Sequence, residues 1–306
     1  MGVAGRGRLD CRVVAGRVRV VATSAYPLKI IAPQAAQTGP QAQPGEQAQR
    51  ALHPAAAYVL TYGGGLVHGD RIRVDVHAGA QVALVLLTQG STKVYRASAS
   101  GGVRAVDAAQ EAAGQTYQTI EITAGPGALV CVLPDPVTCF AAARYSQRQR
   151  VRMGAGASLV LLDWMTSGRM SRGERWRFSK YFSANVVCDA AGRIAVRDAM
   201  LLEDGGALEP AAAVDALAYL LLLGPAAAPV AAAFRRAHRA HRIRPHRPDP
   251  AAVKWSVSEV AERGLAGVAV RAAAASTAAL RAWLVDYLAP LQAAIGDAAW
   301  SMFANA

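Results

Sequence analysis

The chain has 306 residues, 53% of them apolar and 18% charged, which supplies a sizeable core and excludes global disorder. Lysine and arginine number 33 against 21 acidic residues, a net charge of +12, so an acidic partner is expected: nucleic acid, a membrane surface or an acidic protein surface. Cys11, Cys131, Cys139 and Cys188 form no C-x-x-C pair, which excludes a disulfide framework and points to a reducing, cytoplasmic setting.

The first nineteen residues carry five arginines and no 7-residue apolar run, unlike a secretory signal. Alternation of period two, the mark of a half-buried strand, begins at Arg17-Val18-Arg19-Val20. Residues 34–49 (QAAQTGPQAQPGEQAQ) are polar and low in complexity, and predict a loop inserted between strands. Alternation returns at Arg71–His77 and Tyr117–Thr123, then at Arg193–Arg197 and Gly267–Arg271. Three times a Gly-Ala turn leads into a run apolar on both faces: Leu84–Leu87, Leu129–Leu133 and Leu159–Leu162. A strand buried on both faces needs a layer above and below it. The spacings of this repeat are too irregular for a regular solenoid.

The one membrane candidate, Ala211–Phe234, contains Asp215 and is interrupted by Gly224, Pro225 and Pro229, whereas a spanning helix needs about twenty apolar residues in a row. It predicts a buried strand, a Gly-Pro turn and the start of a basic helix. Ser276 is placed to cap a helix running through Leu280, Leu284, Leu288 and Leu291. The predicted class is therefore mainly β, an irregular coiled or stacked sheet resembling a β-helix, with about two helices toward the C-terminus. One β-rich domain over 1–306 is expected, with the insert at 33–50, a basic helix and loop at 225–250 and the C-terminal helix at 276–292.

Standard catalytic motifs fail by counting. Gly64–Gly69 has the spacing of a phosphate loop, but Asp70-Arg71 follows where Lys and Ser or Thr are required. A dinucleotide pattern begun at Gly63 breaks at His68, and neither H-E-x-x-H nor G-x-S-x-G occurs. His238 and His241 have metal-ligand spacing on a helix, yet six arginines within 235–247 crowd them and favour a solvated basic surface. His68, in a glycine-rich turn, is either a ligand or an exposed turn residue.

Polar segments follow each apolar run: Thr88–Arg96, Pro134–Thr138 and Asp163–Arg169. If the three units stack, these ends converge on one side, where Asp70, Thr88, Ser91, Asp135, Asp163 and Glu174 line a shared polar region. The alternative is strand-end capping with ion pairs to Arg169 and Arg175. A basic β-rich nucleic-acid-binding protein is the competing function, though the strands lack the paired aromatics that stack bases. An enzyme built on the carboxylates has no nucleophile-and-base pair to name.

Seven segments, in order, carry a family resemblance. They are Tyr26-Pro27-Leu28-Lys29, Tyr62–Asp70, Thr88–Arg96, Leu133–Phe140, Asp163–Arg169, Arg172–Trp176 and Leu222–Pro225. Together they resemble the UreD (UreH) family of urease accessory proteins, and the Tyr-Pro-Leu-Lys form is similar to that of eukaryotic members. The resemblance implies a non-enzymatic helper that binds apo-urease and a UreF-like protein, which recruits a UreG-like GTPase carrying nickel. No tightly bound cofactor is implied, only nickel(II) in transit, and neither nucleic acid nor membrane is an implied partner. It also implies a β-rich coil with C-terminal helices and internal channels for the metal. Asp70, Asp135 and Glu174 lie in matching motifs and become the candidate nickel-route ligands, with His68 a further candidate. His68, the 34–49 insert and the arginine segment at 235–247 depart from the family pattern.

Overall fold

The computed structural model describes residues 3–33, 52–96, 115–203, 214–243 and 253–305. The expected loop at 34–49 and the last part of the arginine segment, 244–247, lie outside the described residues. The first strands are β1 (Ala4–Val14), β2 (Arg17–Ser24), β3 (Leu28–Ile31) and β4 (His53–Thr61). Three two-strand units come next: β5 (Arg71–Ala78) with β6 (Val82–Leu87), β8 (Thr116–Ala124) with β9 (Leu129–Val132), and β11 (Arg144–Met153) with β12 (Ser158–Thr166). The short β7 (Thr92–Val94) and β10 (Val137–Cys139) follow the first and second units. The last strands are β13 (Lys180–Cys188), β14 (Ile194–Glu203), β15 (Ala216–Leu223), β16 (Lys254–Glu262) and β17 (Leu265–Ala274).

The first member of each unit lies in a seven-stranded sheet and the second in a ten-stranded one. Strands β5, β8 and β11 run parallel side by side, as do β6, β9 and β12 opposite them. The chain therefore coils from sheet to sheet, and antiparallel strands close each end of the coil. The turns dictate this. Gly125 N donates to Ala78 O at 2.7 Å and Gly154 N to Ala124 O at 2.8 Å, so successive turns stack. A side chain at Gly125 or Gly154 would come within 2.8 Å of the backbone of the turn beneath, a distance no Cβ tolerates. The equivalent glycines are thus 79, 125 and 154, two residues before those of the Gly-Ala pairs in the second and third units.

Two apolar layers result. One fills the space between the sheets, with Leu9, Val74, Leu84, Val130, Leu159 and Tyr181 buried in it. The other lies between the ten-stranded sheet and the helices α1 (Ala228–Ile243), α2 (Thr277–Leu288), α3 (Gln292–Ile295) and α4 (Asp297–Ala304). Strand β12 is buried at all nine positions, as a strand with apolar layers on both faces must be. Ser276 caps α2 by accepting from Ala279 N at 3.1 Å. Helical structure continues past the predicted end at 292 because Gly296, at φ 82°, redirects the chain into α4. Phe234 of α1 stacks on Tyr287 of α2 with ring centroids 4.4 Å apart, tying the helices together. All four cysteines are buried and free, and burial pushes the Cys11 thiol up to about 12, so it packs as a neutral side chain.

Candidate functional site

The polar ends of the three units do meet. Strand β10 pairs with β7 on one side and β12 on the other, placing Thr92 beside Val137 and Val137 beside Met165. Strand β12, however, runs on to Thr166, so Asp163 lies within a buried strand rather than after it. The side chain of Asp163, 4% exposed, faces the seven-stranded sheet.

That sheet meets it with polar side chains. Gln118, Gln147 and Ser183 are register neighbours on β8, β11 and β13. Two residues further, Gln149, Asn185 and Asp198 form the next rung. Oδ1 of Asp163 accepts from Gln147 Nε2 at 3.2 Å and from Tyr181 OH at 3.4 Å. Its Oδ2 accepts from Asn185 Nδ2 at 2.8 Å and from the Ser183 hydroxyl. The network extends outward, since Gln149 Nε2 donates to Asn185 Oδ1 at 3.0 Å. Tyr145 OH lies 3.0 Å from both Gln118 Oε1 and Gln147 Oε1. None of these four donors to Asp163 is charged. Burial accordingly raises the Asp163 pKa, against the hydrogen bonds from Ser183, Asn185 and Tyr181 that lower it. Burial also keeps Tyr145 and Tyr181 protonated as donors.

Three cavities share lining residues along this seam. One of about 230 Å³ lies between β4, β5 and the turn around Thr88–Thr92. It shares Thr88, Thr92 and Gln118 with a constriction of about 40 Å³, which is walled by Gln147, Gln149, Asp135 and Asp163. Asp163 in turn lines a third space of about 420 Å³, bounded by Asp198, Tyr219, Lys254 and Arg271. There Asp198 is neutralised by Arg271, whose guanidinium also lies 5.3 Å over the Tyr219 ring. A water occupies about 10–15 Å³ of such space, so the outer cavities accept hydrated species and the middle one is a narrow pass.

The carboxylates predicted from sequence have distinct places. Asp135 lines the pass, its carboxylate 3.2 Å from Arg281 Nη1 and its backbone N–H on Thr88 Oγ1 at 2.8 Å. Asp70, 2% exposed, accepts from Val3 N and Val67 N, both at 2.9 Å. Glu174 is gripped by Arg169, 2.7 Å from Nε to Oε2, and accepts from Ala141 N at 3.1 Å. The hydrogen bond from Arg169 holds the Glu174 carboxyl below the usual carboxylate range. Neither Asp70 nor Glu174 lines any of these three cavities. His68 is half-buried in the turn leading to Asp70, and His238 lies 5.8 Å from the Trp255 ring. Arg175 pairs with Asp215.

Among the described residues no three His, Cys, Asp or Glu side chains are grouped to hold a metal ion. A cation in the seam would meet at most two carboxylates, Asp135 and Asp163 or Asp163 and Asp198, with amide and hydroxyl oxygens, a weak and hard-donor environment. Among the described residues no helix is long and apolar enough to cross a membrane.

A coiled two-sheet β protein with helices on one outer face and a polar seam inside is the class that these features define. Residues 3–303 match the family described as "UreD urease accessory protein". The chain is 36% identical to "Urease accessory protein UreD" of Sorangium cellulosum, over 97% of its own length and 83% of that protein. It is 33% identical to "Urease accessory protein D" of Oryza sativa subsp. indica, over 96% and 94% of the two chains. It is 32% identical to "Urease accessory protein 4" of Cryptococcus neoformans var. grubii, over 90% and 88%. The chain belongs to the UreD family of urease accessory proteins.

Proposed function

We propose that this chain is a non-enzymatic accessory protein that binds apo-urease and helps deliver nickel(II) to its active site. A UreF-like protein and, through it, a UreG-like GTPase are its partners in the cytoplasm. The three cavities that share Gln118 and Asp163 as lining residues carry this proposal. Nickel(II) accepts oxygen and nitrogen ligands. A route must hold the ion weakly enough to pass it on, and isolated oxygens suit that better than a closed cage. At the pass, where room for hydration water is least, the Asp163 carboxylate and the surrounding amide oxygens substitute for lost waters. Asp135 sits on the same route, and its pairing with Arg281 leaves one oxygen for transient contact. Asp70 and Glu174 hold the turns that flank the polar ends, and His68 stands on the turn that Asp70 fastens.

Urease activity in a host carrying the cognate urease genes, with and without this chain at fixed nickel, tests the role. Loss of activity without the chain, restored by added nickel in excess, is the expected outcome; full activity without it overturns the proposal.

A further inference from the structure

The helices pack on the ten-stranded sheet. Among the described residues, no helix or strand is laid over the outward face of the seven-stranded sheet, and its arginines stand exposed there. They form rows across parallel strands. Arg6, Arg73, Thr119 and Arg148 are register neighbours on β1, β5, β8 and β11. Two residues further the row reads Arg8, Asp75, Glu121 and Arg150, and it reaches Arg197 on β14. The next row contains Asp10, His77, Thr123 and Arg152.

Like charges directly opposite on neighbouring strands destabilise a sheet, and Arg6 opposes Arg73 in this way. Part of the charge is met internally, by Asp10 on Arg12 at 2.6 Å and Asp75 on Arg73 at 2.8 Å. Three arginines of β11 have no such relief: Arg148, Arg150 and Arg152 make no ion pair among the described residues. An uncovered face that keeps this repulsion has negative charge to receive.

The pattern suits a folded protein better than a uniform polyanion. Asp75 and Glu121 stand on the two middle strands, between the arginines of β1 and those of β11. Evenly spaced phosphates laid across the sheet would meet both carboxylates. A protein surface can set its own carboxylates over the outer strands and a neutral or basic group over the centre. The ring of Tyr117 is already covered by Arg71 at 5.2 Å, which removes it as a platform for a base. Seven strands at about 4.8 Å spacing span about 29 Å. With strands of eight or more residues, the face measures on the order of 750 Å², about one side of a standard protein interface.

We propose that this arginine-rich face is a docking surface for an acidic protein surface, which is that of apo-urease if the function proposed above holds. Full-length chain, R148Q/R150Q and R148E/R150E variants are compared for binding to immobilised cognate apo-urease at rising salt, and separately to immobilised polyphosphate. R236E/R239E, on the exposed side of α1, controls for net charge. Expected are salt-sensitive binding by the unmodified chain, about tenfold weaker binding by the Gln pair, a larger loss for the Glu pair and a change within about twofold for the control. Unchanged urease binding by both face variants overturns the proposal, as does a loss confined to R236E/R239E. A loss seen on polyphosphate but not on urease assigns the face to a polyanion and also overturns it. If the unmodified chain itself does not bind urease, the proposed function fails and the docking assignment falls with it.

Discussion

Asn185 on β13 donates to Asp163 on β12 at 2.8 Å, a hydrogen bond that crosses the interior from one sheet to the other. Ser183, Tyr181 and Gln147 reach the same carboxylate from the same sheet. A buried carboxylate that meets only neutral donors is costly to ionise, and this fold retains one between its two sheets.

The pH dependence of stability should show that cost. The Asp163 pKa is raised above its ordinary value of 3.8, so the folded state holds the proton more tightly than the unfolded one. Its contribution is most favourable below pH 3.8 and is lost as pH rises through the folded value. D163N has no such titration, so its melting temperature relative to the unmodified chain should rise with pH. A difference that stays constant with pH would contradict this.

Glu174 has the opposite sign. Arg169 lowers its pKa from 4.5, so its stabilisation is present above pH 4.5 and is lost as pH falls through the folded value. E174Q should melt below the unmodified chain at pH 7, with a smaller gap at pH 3. Melting curves at both pH values check it.

The pairing of Asp135 with Arg281 links the pass to α2. Side-chain exposure is 11% for Asp135 and 20% for Arg281, and Arg281 Nη2 also donates to Phe303 O at 2.6 Å. Replacing Arg281 by Ala strands both acceptors, so a loss of about 1–3 kcal/mol is expected in denaturant unfolding. R281K, which keeps the charge, should lose less.

Gly168 closes the loop behind β12 at φ 132°, and a Cβ there would lie 2.3 Å from Glu174 O. G168A should therefore cost on the order of 2 kcal/mol or more. Soluble yield and melting temperature report it, and an unchanged melting point would mean that the Glu174 turn relocates freely.

Much of the fold is local enough to read directly. Period-two alternation marks β5, β8 and β17, the Gly-Ala turns mark where the chain changes sheets, and Ser276 marks the start of α2. Strand β11 escapes notice because both its faces are polar, arginines outward and Gln147 and Gln149 inward, so apolar alternation is missing over half its length. Its glutamines acquire meaning only when β8 and β13 bring Gln118 and Ser183 alongside. A polar run on both faces of a segment between two turns is the signal that would have found them. Asp163 looks like a strand end in sequence because it follows an apolar run. It is kept in the strand by pairing of β12 with β15 through Thr166 and by donors about twenty residues onward. Such long-range satisfaction leaves no mark in local pattern.

The most direct test of nickel passage is the metal content of urease matured with D163N. This variant keeps the size of the side chain and removes the ionisable carboxyl at the narrow pass. With the accessory complex intact and nickel fixed, nickel per urease site should fall clearly below that obtained with the unmodified chain. Full nickel loading by D163N in an intact complex would contradict a route through Asp163.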